Sequence, residues 1–192
     1  MEITLDSNKR YSYADYLTWM DDKRRELING FVSLMTPAPA RLHQKVSGYI
    51  FNKIYNFLTD KKCEVYSAPF DVRLPKNGEK TDNEIYNVVQ PDITVVCDSE
   101  KLDDRGCIGA PDLIVEILSP STSKRDLTDK YDLYEKSGVK EYWIVRPNEN
   151  TIQKFVLGSK SKYEFKGTFT EDDEISPDIF PDLQINVNEV FM

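Results

Sequence analysis

The sequence predicts a mixed α/β or α+β fold, with a central sheet flanked by helices. Three observations lead there. Apolar runs of strand length recur from residue 63 to residue 147. Two segments, 40–59 and 125–137, carry apolar residues at helical spacing. Helices and strands also alternate along the chain instead of segregating, which favours one sheet with helices packed on it.

The elements follow in order. "YSYADYLTWM", 11–20, reads as a short helix with Ser12 as its N-cap. "ELINGFVSLM", 26–35, holds two short apolar stretches around Asn29-Gly30, and Asn-Gly is a strong signal for a type I′ hairpin. Leu42, Val46, Tyr49, Ile50, Ile54, Phe57 and Leu58 line one side of an amphipathic helix over 40–59. "CEVYSAPFDVRL", 63–74, is a strand candidate, and "PKNGEKTDNE", 75–84, is a polar loop. "IYNVVQPDITVV", 85–96, returns to strand character. "SEKLDDRGCIGA", 99–110, reads as a second loop, and "PDLIVEILS", 111–119, as the next strand. The helix over 125–137 stops at Gly138. "EYWIVRP", 141–147, is a further strand, 150–166 a hairpin, and the remaining tail irregular.

Composition narrows the function. The chain has 192 residues and a net charge of −8, which argues against a broad basic surface for sequence-independent nucleic-acid binding. A local basic rim around an acidic site is compatible with that charge. No apolar run approaches the ~20 residues of a membrane span, and the N-terminus lacks the layout of a signal peptide, so a cytoplasmic protein without membrane contact is expected. Three cysteines, Cys63, Cys97 and Cys107, without a CxxC pair, are expected to be reduced thiols. A single histidine, His43, excludes multi-histidine metal sites. Nothing points to a small-molecule cofactor.

The chemistry gathers around carboxylates in apolar surroundings. In "DLIVEIL", Asp112, Ile114, Glu116 and Leu118 share one strand face, and Leu113, Val115 and Ile117 the other. Both faces are apolar, so the strand is central and Glu116 needs a partner: a structural cation or a metal. Asp92 opens another apolar strand in "QPDITVV". It is either a turn residue after proline or a second ligand. Two carboxylates on neighbouring strands, with a backbone carbonyl such as that of Ile117, suffice for Mg²⁺. Lys130 lies at the edge of the inward stripe of Leu127, Tyr131 and Tyr134; it either pairs with Asp126 one turn away or reaches the sheet. Glu26 alternates with Leu27 and faces either the site or solvent. "KRR" at 23–25, Arg41, Lys45 and Lys124-Arg125 are candidates for a phosphate-contacting rim, or simply solvated surface.

"RRELINGFV", then "LHQKV", then "VVQPDITVV", then "GAPDLIVEILSPSTSKRDLTDKYDLYEKSGVKEYWIVRP" resembles the Uma-two family of bacterial restriction-endonuclease-type proteins, long classed as a domain of unknown function. The resemblance runs from Tyr11 to Pro147 and weakens beyond. The family is similar to the PD-(D/E)xK nucleases. The resemblance implies a restriction-endonuclease-like core over 11–147, with a C-terminal hairpin and tail over 148–192, within a single domain 1–192. It implies metal-dependent phosphodiester hydrolysis with Asp92 and Glu116 as ligands and Glu26 as the N-terminal acidic residue. Mg²⁺ or Mn²⁺ suits such all-oxygen ligation. Where the pattern wants lysine, two residues after Glu116, the chain has Leu118; related nucleases supply it from a helix, and Lys130 is the candidate. His43 matches a position where the family often has histidine, and is either a site-edge or a structural residue.

The expected partner is DNA and the expected assembly a homodimer, one site per strand. Two other readings stay open. One is a non-catalytic relative mediating protein association; the other is a metal-dependent phosphodiesterase acting on RNA or nucleotides.

Overall fold

The structure is a computed structural model describing residues 3, 5–35, 40–76, 78, 81–119 and 126–192, with the side chain of Asp126 outside the description. Helix α1 (Tyr13–Tyr16) is capped by Ser12, whose hydroxyl and backbone exchange hydrogen bonds with Asp15 as a capping box. Strands β1 (Arg25–Ile28) and β2 (Phe31–Leu34) form the expected hairpin. Its two central residues, Asn29 and Gly30, have φ of 55° and 84°, the left-handed pair that a type I′ turn requires. Helix α2 spans Arg41–Leu58 and buries Val46, Ile50, Ile54 and Leu58 at regular helical spacing.

The next two strand candidates each break at a proline, and their halves enter different sheets. Residues 63–74 divide into β3 (Glu64–Ser67) and β4 (Val72–Arg73) around Pro69. Residues 85–96 divide into β5 (Val88–Val89) and β6 (Ile93–Val96) around Pro91. Proline has no N–H to give a ladder, so pairing stops there and the chain turns.

The segment 99–110, expected as a loop, contains a hairpin of β7 (Leu102–Asp103) and β8 (Gly106–Ile108). Gly106 has φ of 126°, and a Cβ there would lie 2.2 Å from the Asp71 carbonyl. Only glycine allows that approach.

Strand β9 (Leu113–Ile117) is followed by a π-helical turn, Asp126–Lys130, and then by α3 (Tyr131–Ser137). Gly138, at φ 86°, terminates α3 as its left-handed cap. Strands β10 (Glu141–Arg146), β11 (Thr151–Leu157) and β12 (Tyr163–Phe169) complete the main sheet. The tail is not irregular. It forms a small ladder of β13 (Glu174–Ile175) and β14 (Ile185–Asn186), then helix α4 (Val187–Phe191).

Two mixed six-stranded sheets result, ordered β2-β1-β5-β4-β8-β7 and β12-β11-β10-β9-β6-β3. In the second, β9 runs parallel to β10 and antiparallel to β6. Its faces separate by strict alternation. Leu113, Val115 and Ile117 meet α2 and the C-terminal tail, while Ile114 meets α3, Tyr142 and the first sheet. Each fully buried aliphatic side chain contributes about 1.5–3 kcal/mol relative to exposure. Ile175, Leu183, Ile185 and Val187 of the tail belong to this core.

The cysteine expectation fails in part. Cys63 and Cys97 form a disulfide. The β3–β6 register, with Glu64 opposite Val96, sets these two residues across from each other, which linear spacing does not reveal. Cys107 stays a buried free thiol, and its burial pushes its pKa up to about 12. Among the described residues, no helix is long and apolar enough to cross a membrane.

Candidate active site

The two crossings between sheets define one locality. At the end of the β6–β9 ladder, where Pro91 offers no N–H, the Asp92 carboxylate accepts the Ile117 N–H at 2.8 Å. The register pairs Ile93 with Val115, so Asp92 stands opposite Glu116, one step further along. His43, in the first turn of α2, places Nε2 3.2 Å from Asp92 Oδ2.

Glu116 is 4% exposed, in the middle of the main sheet. Its Oε1 accepts from Lys130 Nζ at 2.8 Å and from the Tyr134 hydroxyl at 2.7 Å. Lys130 ends the π-helical turn and is itself 2% exposed. Its ammonium also lies 2.8 Å from Glu26 Oε1. Glu26, fully buried on β1, receives in addition the backbone N–H of Gln90 at 3.0 Å. Leu27, its neighbour, points to the other side and packs with Tyr11 and Tyr13. A lysine is rarely buried unless paired, and here one ammonium bridges two carboxylates from different sheets.

Asp92, Glu116, Glu26 and Lys130 therefore lie within one chain of hydrogen bonds and facing positions. Tyr134 and Gln90 belong to the same set, although sequence reasoning left them out. Tyr134 follows Lys130 by one helical turn, so the two share a face. Burial first, then the charges of Glu116 and Glu26, push its pKa well above the ordinary phenol value, so it remains a donor. Gln90 acts through its backbone, which no side-chain pattern signals.

Among the described residues, the remaining basic candidates stand in different surroundings. Arg25 is buried, pairs with Asp21 and stacks over Trp19 at 5.4 Å. Lys45 is tied to the Met192 carbonyl. Lys23, Arg24 and Arg41 are exposed. Lys124 and Arg125 lie outside the described residues.

The donor set suits a hard cation. The cluster holds three carboxylates and one ammonium, which pairs Glu26 and Glu116, so apart from His43 the formal excess is two negative charges. All side-chain donors but His43 are oxygens. By side chain, Asp92 is 19% exposed against 5% for Glu116 and 0% for Glu26, so it is the carboxylate most open to solvent. Among the described residues, no three carboxylates, histidines or cysteines close into a metal cage.

A mixed sheet with acidic residues on two adjacent central strands, crossed by a helix that carries a lysine, defines the restriction-endonuclease-like class. The chain belongs to the Uma2 family, described as "Putative restriction endonuclease", whose profile matches residues 13–188. A crystal structure described as "a putative nuclease belonging to DUF820" from Anabaena variabilis superposes with a TM-score of 0.73. That likeness covers 94% of this chain and 97% of the other at 19% identity, and it shows a shared fold. The uncharacterized protein slr1290 of Synechocystis sp. is 27% identical over 127 residues, 65% of this chain. The match takes in 62% of that relative's length.

Proposed function

We propose that the chain is a metal-dependent endonuclease that hydrolyses DNA phosphodiester bonds, working as a homodimer so that each site serves one strand. The observation that carries this reading is Lys130, whose ammonium reaches both Glu116 and Glu26 at 2.8 Å from the helix side. It supplies the cation that Leu118 cannot. Asp92, Glu116 and the Ile117 carbonyl are the residues that would hold Mg²⁺ or Mn²⁺. When bound, the metal polarises the scissile phosphate and lowers the pKa of water at the site.

The chain's own residues do the rest. Lys130 orients the attacking water and offsets negative charge that develops on the phosphoryl oxygens. Glu26 anchors the ammonium from the other sheet, and Tyr134 holds the Glu116 carboxylate in place. His43 and the Ile117 N–H fix the Asp92 carboxylate from two directions. Excess negative charge repels the DNA backbone until a cation arrives, which makes the reaction strictly metal-dependent.

One observation favours a second reading, a non-catalytic relative that binds other proteins: Lys130 already pairs two of the three carboxylates. Cleavage of supercoiled and linear DNA with Mg²⁺, Mn²⁺ or chelator decides between them. The nuclease reading expects cleavage that chelator abolishes, and a loss of about 10²–10³-fold in Glu116→Gln and Lys130→Met, the size seen when one charge-stabilising donor is removed. Absence of metal-dependent cleavage on every DNA form, or unchanged cleavage by Glu116→Gln, would refute it.

A further inference from the structure

We infer that Arg24 is a phosphate-binding fork, held by Gln90, which Asp71 holds in turn, and that it seats a neighbouring phosphate of the nucleic-acid strand beside the carboxylate cluster. This assignment rests on the nuclease reading above and adds to it a residue that binds substrate without touching the scissile bond.

The backbone fixes where Arg24 points. Its carbonyl accepts the Met35 N–H at 3.0 Å, which continues the β1–β2 ladder by one step beyond Arg25 and Leu34. Alternation along the strand then puts Arg24 on the same side as Glu26, two residues and about 7 Å away. Glu26 is fully buried while Arg24 is exposed, so the strand leads outward from the cluster towards solvent.

The side chain is anchored rather than free to wander. Arg24 Nε donates to Gln90 Oε1 at 3.0 Å. Gln90 is 7% exposed, and its Nε2 donates to Asp71 Oδ1 at 2.8 Å and to the Tyr16 hydroxyl at 3.3 Å. These partners fix the amide orientation, because a guanidinium only donates and a carboxylate only accepts. Asp71 is held in turn by the Tyr13 hydroxyl at 3.1 Å. The same Gln90 gives its backbone N–H to Glu26, so one residue aligns both the cluster and the arginine.

What remains of Arg24 suits an anion. Among the described residues no other hydrogen bond engages this side chain, so its two terminal nitrogens stay available. They form the planar fork that binds phosphate oxygens in pairs. Arg24 lines a cleft of about 300 Å³ together with Tyr16, Trp19, Lys23 and Gln90. Asp21, Asp22 and Arg25 also border it, and Arg25 neutralises Asp21 through its paired contact. In a chain of net charge −8, residues 21–25 carry three cations against two anions and are locally positive.

The test is DNA binding followed by fluorescence anisotropy across a salt series, in the Glu116→Gln background so that the strand survives the titration. The probes are a short labelled duplex and the same strand unpaired, and circular dichroism checks the fold of each variant. Arg24→Ala is expected to weaken binding about tenfold, the worth of one charged hydrogen-bonded contact. It should also reduce the slope of log K against log salt by about 0.7–0.9, one phosphate contact. Arg24→Lys should keep the slope and recover only part of the affinity. Gln90→Leu should weaken binding although no charge changes. Lys160→Ala, the same charge change at an exposed turn between β11 and β12 of the other sheet, should bind like the parent. Arg24→Ala with parental affinity and slope, or a Lys160→Ala loss of equal size, overturns the assignment while DNA binding stands. If the parent binds neither probe and the wild type cleaves no DNA, the nuclease reading fails and the assignment fails with it.

Discussion

Replacing Lys130 with methionine isolates the electrostatics of the buried cluster. Methionine keeps much of the side-chain length and removes the charge. The two 2.8 Å contacts made by Lys130 Nζ place the Glu26 and Glu116 oxygens no more than 5.6 Å apart. At an effective dielectric of about 20, two unit charges at that distance repel by about 3 kcal/mol. Breaking a buried ion pair by removing one partner costs about 3–5 kcal/mol for the same reason. With an m-value of about 2 kcal/mol per molar, the urea midpoint should fall by about 2 M. Adding Glu116→Gln removes the repulsion, so Lys130→Met/Glu116→Gln should recover about 1–3 kcal/mol relative to Lys130→Met alone. If the single variant does not fold, recovery of cooperative unfolding in the double variant carries the result. A single-variant midpoint within about 0.3 M of wild type, at the level of a neutral surface change, would refute the reasoning. So would a double variant that loses the sum of the two single effects.

Other expectations follow from the same structure. Tyr134→Phe removes one hydrogen bond to Glu116 but leaves Lys130 in place, and should cost about 1–2 kcal/mol in urea denaturation with the fold intact. The Lys162 ammonium, followed by the Tyr163 N–H, holds the Glu135 carboxylate below its ordinary pKa of 4.5. Its contribution is thus complete above pH 4.5 and lost as pH falls through the depressed value, so Glu135→Gln should lower stability at neutral pH and flatten the acid limb of a pH–stability curve. The Cys63–Cys97 bridge closes 34 residues, and Cys63→Ser/Cys97→Ser should lose about 3–4 kcal/mol on the loop-entropy estimate. Three titratable thiols in the unreduced, unfolded protein would contradict the bridge.

The sequence carried the local rules better than the global ones. The β1–β2 hairpin was legible because Asn29-Gly30 has one favoured geometry. Helix α2 was legible because its buried positions repeat at helical spacing. Neither rule says which sheet a strand joins. Pro69 and Pro91 cut two apparent strands in half, and only the three-dimensional register shows that the halves part company. The β7–β8 hairpin hid in a polar segment because its strands are two and three residues long. The tail hid because its two strands are only two residues each, so the alternation of Leu183 and Ile185 is too short to announce a strand, although both are buried.

The site divides along a similar line. A carboxylate at Glu116, in a strand apolar on both faces, demanded a partner on elementary desolvation grounds. The choice between a structural cation and a metal remained open because each meets the same need. In the structure a cation is present, and it comes from Lys130. A lysine two residues after Glu116 would rise from the same strand face; Leu118 there packs instead among the residues of the α3 side. Lys130 approaches that face from the opposite direction, carried by the turn before α3. What the buried Glu116 carboxylate requires is a cation or donor within hydrogen-bond reach, and a lysine side chain is long enough to supply it from sheet or helix. The helix route adds a constraint that the strand route lacks. It sets Tyr134 one turn further along on the same face, so Glu116 gains a second donor from the same element. It also brings Lys130 against Glu26 of the other sheet, and so ties the position of the ammonium to the packing of both sheets.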